Sequence, residues 1–413
     1  MDNDHHMSHQ ELSTVRRTIV GVQFLFVAFS STVLVPLLVG LDPATALFTA
    51  GVGTLIFHIV TKGEVPIFLG SSFAFISPII SASQLWGMPG TVAGIVGVAL
   101  VYFIMSALIK WQGRRLIDRL FPPVVVGPVI ILIGLSLSPS AVNMAKENWP
   151  LAFVSLITAI IVLTFGKGLL KLVPVVMGLI IGDMVALFMG VVDLSVLAAA
   201  PWFALPDGIV HFHMPQFAWA PFLFMIPVAV APVIEHIGDV YVVSAVAEKD
   251  FVKSPGLHRT MLGDGLACLF ASLFSGPPVT TYSEVTGAMQ ITRVRHPQVI
   301  RIAAATAIVF SVIGKLSALL QSIPQAVLGG IMLLLFGTIG SVGVQYLINH
   351  RVNMSLTRNI IIVSVTLTMG IGGAVLSFKT FSISGIGLSA VVGVLLNLLL
   401  PKEDKSELQS DES

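Results

Sequence analysis

Charge is what this chain has least of: Lys, Arg, Asp and Glu supply 10% of its 413 residues, against roughly 25% in an ordinary soluble domain. So little charge cannot clothe a chain of this length in water, which excludes a soluble globular protein. Cysteine is nearly absent. Cys268 stands alone, so an internal disulfide framework is excluded. No HExxH stretch occurs, which removes the zincin metalloproteases, and no metal or other cofactor is expected. Long polar segments are missing too, the longest being the first fifteen residues and the tail PKEDKSELQSDES (401–413). A polar start followed by a full-length apolar run predicts no cleavable signal peptide. His5, His6 and His9 read as a frayed terminus rather than metal ligands. A net charge of +1 gives no ground for a nucleic-acid partner.

What is there is hydrocarbon. Hydrophobic residues make up 55% of the chain, and apolar runs near 20 residues long recur throughout, enough to cross a bilayer core of about 30 Å. Clear runs cover 18–39, 92–110, 173–191, 225–246, 302–320, 331–348 and 360–376, with shorter ones at 124–137 and 151–165. The reading is an all-α polytopic membrane protein with about fourteen segments, two of them irregular. If the N-terminus is cytoplasmic, 19 of the 22 Lys and Arg fall in cytoplasmic loops, with Lys146, Lys315 and Lys379 outside. The longest loop, 193–221, contains neither residue. That asymmetry obeys the positive-inside rule and puts both termini in the cytoplasm.

Two segments fail as ordinary spanning helices. EVPIFLGSSFAFISPII (64–80) carries Gly70, Ser71, Ser72 and two prolines; TTYSEVTGAMQITR (280–293) follows Pro277 and Pro278. Each reads as a short extended piece, 71–75 or 279–283, followed by a half-helix, 76–82 or 285–291. Backbone of that kind at membrane depth needs protein or water to satisfy it. Matched interruptions in two halves point to a transporter site; a re-entrant loop beside a kinked helix is the bland alternative.

Five acids lie in apolar surroundings: Asp183, Glu235, Asp239, Asp264 and Glu284. A charge at the bilayer centre costs at least ~2.5–3.5 kcal/mol, so each needs a reason. Glu235 and Asp239 are one helical turn apart and share a face. Their mutual repulsion suits them to holding a proton, a coupling role. His236 points elsewhere and reads as a network residue rather than a ligand. Glu284 stands before a half-helix, where free N–H groups favour a carboxylate, and Gly287 lets a ligand approach closely. Such a site suits a small planar molecule carrying N–H donors and carbonyl acceptors. Asp183 and Asp264, each beside a glycine, read as interhelical hydrogen-bonding residues or, alternatively, as coupling acids. Phe73 and Tyr282 are placed to sandwich an aromatic ring or simply to pack.

With these residues in view, the chain resembles the nucleobase–ascorbate transporter (nucleobase:cation symporter-2) family, in its bacterial uracil permease branch, from about 18 to 401. The blocks that carry the resemblance are STVLVPLLV (31–39), GSSFAFISP (70–78), EHIGD (235–239), PGLHRTMLGDGL (255–266) and TTYSEVTGAMQITRV (280–294). The last holds the family signature: an acid or Gln, usually Asn, any residue, Gly, four residues, Thr and a basic residue, here Glu284, Val285, Thr286, Gly287, Thr292 and Arg293. The resemblance implies fourteen segments in two inverted seven-segment repeats, with segments 3 and 10 broken by short paired strands. It implies a core domain of segments 1–4 and 8–11 (16–113 and 219–320) and a gate domain of segments 5–7 and 12–14 (114–192 and 321–400). An extracytoplasmic connection (193–218) and cytoplasmic tails (1–15 and 401–413) complete the chain. By carry-over, Glu235 and Glu284 accept hydrogen bonds from uracil, Phe73 and Tyr282 line its ring, and Ser283 and Ser31 complete the pocket. Glu235 and Asp239 are the proton-coupling acids. A bacterial inner-membrane homodimer, in contact with lipid and importing a nucleobase with H+, is the implied whole.

Three departures stand out. Asp239 replaces the usual His one turn after the first Glu, Val285 the usual Asn, and Ser283 the usual Gly. The identity of the proton carrier and the selectivity among bases stay open on this account. A purine or xanthine permease of the same fold is the nearest rival, opposed by the acid at 284 where that branch commonly has Gln. Sulfate-permease relatives share the architecture, but these acids would repel an anion. An intramembrane aspartyl protease built on Asp183 and Asp264 fails because Met261 and Gly182 stand where its motifs need Gly and Tyr. A passive channel is disfavoured by matched breaks joined to coupled acids.

Overall fold

A computed structural model describes residues 14–168, 170–192, 194–212, 215–216, 218–377 and 382–401. The ends of both tails and Lys379 lie outside the described residues, as does the side chain of Ser283. The chain is a multi-pass helical membrane protein. Six helical stretches are long and apolar enough to span: Arg17–Val39, Pro43–Val60, Phe73–Gln112, Pro123–Ala145, Trp219–Ala247 and Gln325–Asn349. Five shorter apolar helices join them. Apolar side chains on two of the shorter ones, Ile157 and Ile161 on one and Ile180 and Met184 on the other, stay exposed, as lipid-facing residues should.

In chain order the main elements are α1 (Thr14–Val39), α2 (Pro43–Val60), β1 (Leu69–Ser71), α3 (Ile76–Gln112), α4 (Pro123–Leu135), α5 (Trp149–Phe165) and α6 (Pro174–Phe188). Then come α7 (Val230–Ala247), α8 (Leu257–Leu273), β2 (Val279–Thr281), α9 (Ser283–Thr292), α10 (Pro297–Ser311), α11 (Gln325–Asn349), α12 (Thr357–Ile371) and α13 (Gly385–Leu399). Helix α3 is broken at Gly87, whose φ of 67° and ψ of −175° are not helical, and Pro89 restarts it. Helix α8 packs against α2 and α3, and α10 against α1 and α2; α11 packs against α4 and α5, and α12 against α4 and α13. Small residues permit the closest contacts. A Cβ at Gly134 of α4 would lie 2.4 Å from the Phe336 carbonyl oxygen of α11.

Two expectations need correction. The apolar run 302–320 is not one helix. It divides into α10 and a short helix, Gly314–Gln321, because the loop between α6 and α7 bonds into the gap: Ala204 donates to the Val312 carbonyl and Gly314 to that of Trp202. That loop is itself pinned. Asp42, at the N-cap of α2, accepts from the backbone of Ala44 and Thr45, from the Thr45 hydroxyl, from the Asp207 N–H and from the Ser317 hydroxyl. At Gly208 a Cβ would fall 1.8 Å from the Phe274 carbonyl oxygen, so the loop lies directly on the end of α8.

The second correction concerns the breaks. The first strand is Leu69–Ser71, two residues earlier than the expected start, and Phe73–Phe75 is a 3-10 turn. Strand β1 pairs antiparallel with β2, Leu69 facing Thr281, Gly70 facing Thr280 and Ser71 facing Val279. The ladder gains one bond at each end, Ser72 N–H to the Pro278 carbonyl and Tyr282 N–H to that of Phe68. Beyond Ser72, Pro277 and Pro278 have no N–H to offer, and the chain turns into helix.

Candidate functional site

Strands at membrane depth must satisfy both edges, and here neighbouring helices do so. On the outer edge of β1, the Leu69 N–H donates to the Thr54 hydroxyl of α2 at 2.9 Å, while His58 Nε2 lies 3.3 Å from the Ile67 carbonyl. On the outer edge of β2, the Cys268 thiol of α8 donates to the Val279 carbonyl at 3.0 Å. Successive strand side chains point to opposite faces. Thr281 turns to α7, where its hydroxyl donates to Asp239 Oδ2 at 2.6 Å. Thr280 turns to α3, beside the buried hydroxyl of Tyr102.

Tyr282 follows the strand directly and lies across Gly70; a Cβ there would be 2.3 Å from the tyrosine ring. Its hydroxyl donates to the Ser71 carbonyl at 2.8 Å, so its ring is locked and its hydroxyl is committed. Glu284 sits within the first turn of α9, not ahead of the half-helix as expected, because helical geometry begins at Ser283. The N-terminal N–H groups of that turn have no partner inside the helix. The Ser31 hydroxyl of α1 donates to Glu284 Oε1 at 3.5 Å. Beside it, the Ser71 hydroxyl donates to the Thr32 carbonyl at 3.1 Å. One turn beyond Glu284, a Cβ at Gly287 would meet nothing within 4 Å: that side of α9 faces open space.

Glu235 and Asp239 lie within electrostatic reach of each other and of both Glu284 and Asp264. They are not equivalent. Glu235 and Glu284 are half-buried, whereas Asp239 is 8% and Asp264 0% exposed. Asp264 is paired, its Oδ2 lying 2.8 Å from His236 Nδ1, and His236 Nε2 lies 2.9 Å from the Thr260 hydroxyl. That buried trio bonds α7 to α8, which explains why His236 faces away from Glu235. Asp183 differs: it is half-buried in α6, and its Oδ1 is buried with no hydrogen-bond partner among the described residues. Phe73 is 7% exposed and meets Phe336 of α11 edge-on, with ring centroids 6.0 Å apart.

The predicted residues therefore fall in two linked sets. Ser31 touches Glu284, Tyr282 and Phe73 flank β1 and its turn, and Glu235 and Asp239 face them from α7. Sequence reasoning missed Thr281 and Phe336. The Thr280–Thr281 pair, polar in an apolar setting, was the available signal for the first. Phe336 sits in the middle of an apolar run and offered none. Chemically, half-buried carboxylates can accept from N–H donors, and aromatic rings beside them offer flat apolar faces.

A profile of the Permease family, Xan_ur_permease, matches residues 16–378. The chain is 47% identical over 406 residues to a protein of Haemophilus influenzae named "Probable uracil permease", covering 96% of this chain and 97% of that one. It is 46% identical over 405 residues to the "Uracil permease" of Bacillus caldolyticus, covering 95% and 94%. Among solved structures, the transmembrane domain of the cyanobacterial bicarbonate transporter BicA superposes with a TM-score of 0.63 at 16% identity, covering 92% of this chain and 96% of that one; this is a likeness of fold alone. With helices long enough to span, a family match over residues 16–378 and relatives named as permeases rather than enzymes, the chain belongs to the nucleobase–ascorbate transporter family.

Proposed function

We propose that the protein imports uracil by proton symport. The observation that carries this reading is the antiparallel pairing of Leu69–Ser71 with Val279–Thr281, which sets Tyr282 and Glu284 beside Ser31 and across from Glu235. Uracil displays two ring N–H donors and two carbonyl acceptors on a flat frame. Glu235 and Glu284 accept from the ring nitrogens, the rings of Phe73 and Tyr282 flank the base, and the backbone at Ser283 meets a carbonyl. A ligand lacking those donors leaves half-buried carboxylates facing it unpaired, a penalty of up to about 1–3 kcal/mol for each lost partner. The names of the relatives point to the same base.

Fourteen segments follow if α1, α2, β1 with the first part of α3, the second part of α3, α4, α5 and α6 form one half. The other half is α7, α8, β2 with α9, α10, α11, α12 and α13. In this reading the halves are inverted repeats, and segments 1–4 and 8–11 form a core that moves against a gate of segments 5–7 and 12–14. Packing of α8 on α2 and α3, and of α11 on α4 and α5, supports that division. Phe73 against Phe336 is then a contact across the sliding seam. Asp239 takes the coupling proton with Glu235, and the protein works as an inner-membrane homodimer with both termini cytoplasmic.

The test is uptake of labelled uracil into proteoliposomes at two pH values, competed with thymine, 5-fluorouracil, xanthine and hypoxanthine. Uracil and 5-fluorouracil are expected to compete best; preferential competition by xanthine overturns the substrate assignment. Glu284→Gln is expected to abolish uracil binding by calorimetry while the protein stays folded, and unchanged affinity removes Glu284 from the site.

A further inference from the structure

We propose that Thr281 is a positioning residue, the link by which the protonation of Asp239 is passed to the substrate-binding segment. The inference rests on the reading that Asp239 takes the coupling proton, and it names the element that senses it. The hydroxyl of Thr281 donates to Asp239 Oδ2 at 2.6 Å, with Thr281 1% and Asp239 8% exposed, so the bond is largely shielded from bulk solvent. The surroundings offer Asp239 little else. Glu235 lies one turn back on α7, Glu284 faces it from α9 and Asp264, held by His236, from α8; from α11, the ring of Tyr346 packs near Gly238. The neighbouring carboxylates repel an Asp239 anion, while Thr281 is the donor bonded to it among the described residues.

Thr281 is also built into the binding segment. Its backbone pairs with Leu69, Tyr282 N–H bonds the Phe68 carbonyl, and Glu284 follows in the next turn. A β-branched side chain has a stiff χ1, so a change in the bond at Oγ1 is felt by the strand rather than absorbed by rotamer hopping. When Asp239 is ionised, the Thr281 O–H donates a charge-assisted bond, about twice as strong as a neutral one. When a proton binds at Oδ1, Oδ2 becomes a neutral acceptor, the bond weakens and β2 is released. No atom is exchanged between the two residues; the proton comes from and returns to water.

The test uses full-length protein in proteoliposomes, with Thr281→Val, Thr281→Ser and Asp239→Asn, alone and combined. In Thr281→Val the pH midpoint of uracil uptake moves up by about one unit, a tenfold change in proton affinity. Thr281→Ser, which keeps the hydroxyl bonded to Asp239, keeps the wild-type midpoint, while its unbranched side chain passes a smaller change in uptake to the strand. In the Asp239→Asn background Thr281→Val adds no shift. An unmoved midpoint in active Thr281→Val, or the same shift without Asp239, overturns the proposal. Should Thr281→Val fail to fold, Thr281→Ala is examined by difference infrared spectroscopy. The C=O band of protonated Asp239, assigned by its loss in Asp239→Asn, then titrates at higher pH than in wild type; coincident titrations overturn the link. Absence of uracil uptake by wild-type protein is the separate outcome that removes the substrate reading and leaves the infrared result standing.

Discussion

Replacing Gly70 by alanine asks whether the Tyr282 ring is held where the site needs it. The new methyl would sit 2.3 Å from Tyr282 Cε2 and Cζ and 2.7 Å from its oxygen, whereas carbon atoms in contact settle at about 3.5–4.0 Å. The ring must therefore retreat by more than about 1 Å. The strand beneath it cannot yield instead, because Gly70 is the middle residue of a three-residue ladder. Retreat breaks the 2.8 Å bond from the Tyr282 hydroxyl to the Ser71 carbonyl. Overpacking costs about 1–3 kcal/mol and the lost hydrogen bond about 0.5–1.5 kcal/mol, together about 1.5–4.5 kcal/mol. If that falls on the binding-competent geometry, uracil affinity drops between about 10-fold and 2000-fold. Calorimetric titration with uracil, paired with thermal unfolding of the unliganded protein, measures both places where the cost can appear. Tyr282→Phe, which keeps the ring and loses only the hydroxyl, should weaken binding by no more than about tenfold. A Gly70→Ala protein that binds uracil and unfolds as wild type does would refute the placement of the ring over this strand.

Asp239→Asn is expected to retain uracil binding and lose accumulation driven by an imposed proton gradient; proteoliposomes of the variant that still concentrate uracil would remove Asp239 as the carrier. Asp42→Ala deprives five donors of their acceptor, including the N-cap bonds of α2, whose loss alone costs about 1 kcal/mol. It should lower the unfolding temperature and open the loop around Asp207 to added protease, and an unchanged cleavage pattern would show that the clasp is not holding it. His296 caps α10 by accepting from the Gln298 N–H at 3.1 Å. Burial, with Arg17, Arg301 and Lys249 nearby, lowers its pKa from 6.5. The folded protein thus prefers the neutral ring, and the cap's contribution is complete above pH 6.5 and fades as acid protonates it. His296→Asn, a cap that does not titrate, should lose less thermal stability between pH 7 and pH 5 than wild type, by a small margin because the side chain is exposed; equal losses would dismiss the effect.

Much of the membrane architecture was legible in the chain, because crossing a bilayer is a local requirement. A run such as 331–348 must be helical in hydrocarbon wherever it goes, and α11 covers it. The acids were legible for the same reason: Glu235, Asp239 and Glu284 cost too much in lipid to be there without partners. Boundaries were less so. The run 302–320 looked continuous, yet a loop from elsewhere in the chain bonds into its middle. Composition cannot report that. Nor could it say that Asp42, in a short polar connection, collects donors from segments 165 and 275 residues away.

By itself the sequence determined which stretches are apolar enough for lipid, that two segments rich in glycine and proline must break, and which side chains are too polar to be idle. Each follows from a transfer cost or a missing N–H that acts within a few residues. Tertiary structure alone decided the pairing of Gly70 with Thr280, the ring of Tyr282 laid over that glycine, and the hydroxyl of Thr281 turned to Asp239. Those depend on strands separated by more than two hundred residues, which are brought together by the helices that satisfy their outer edges.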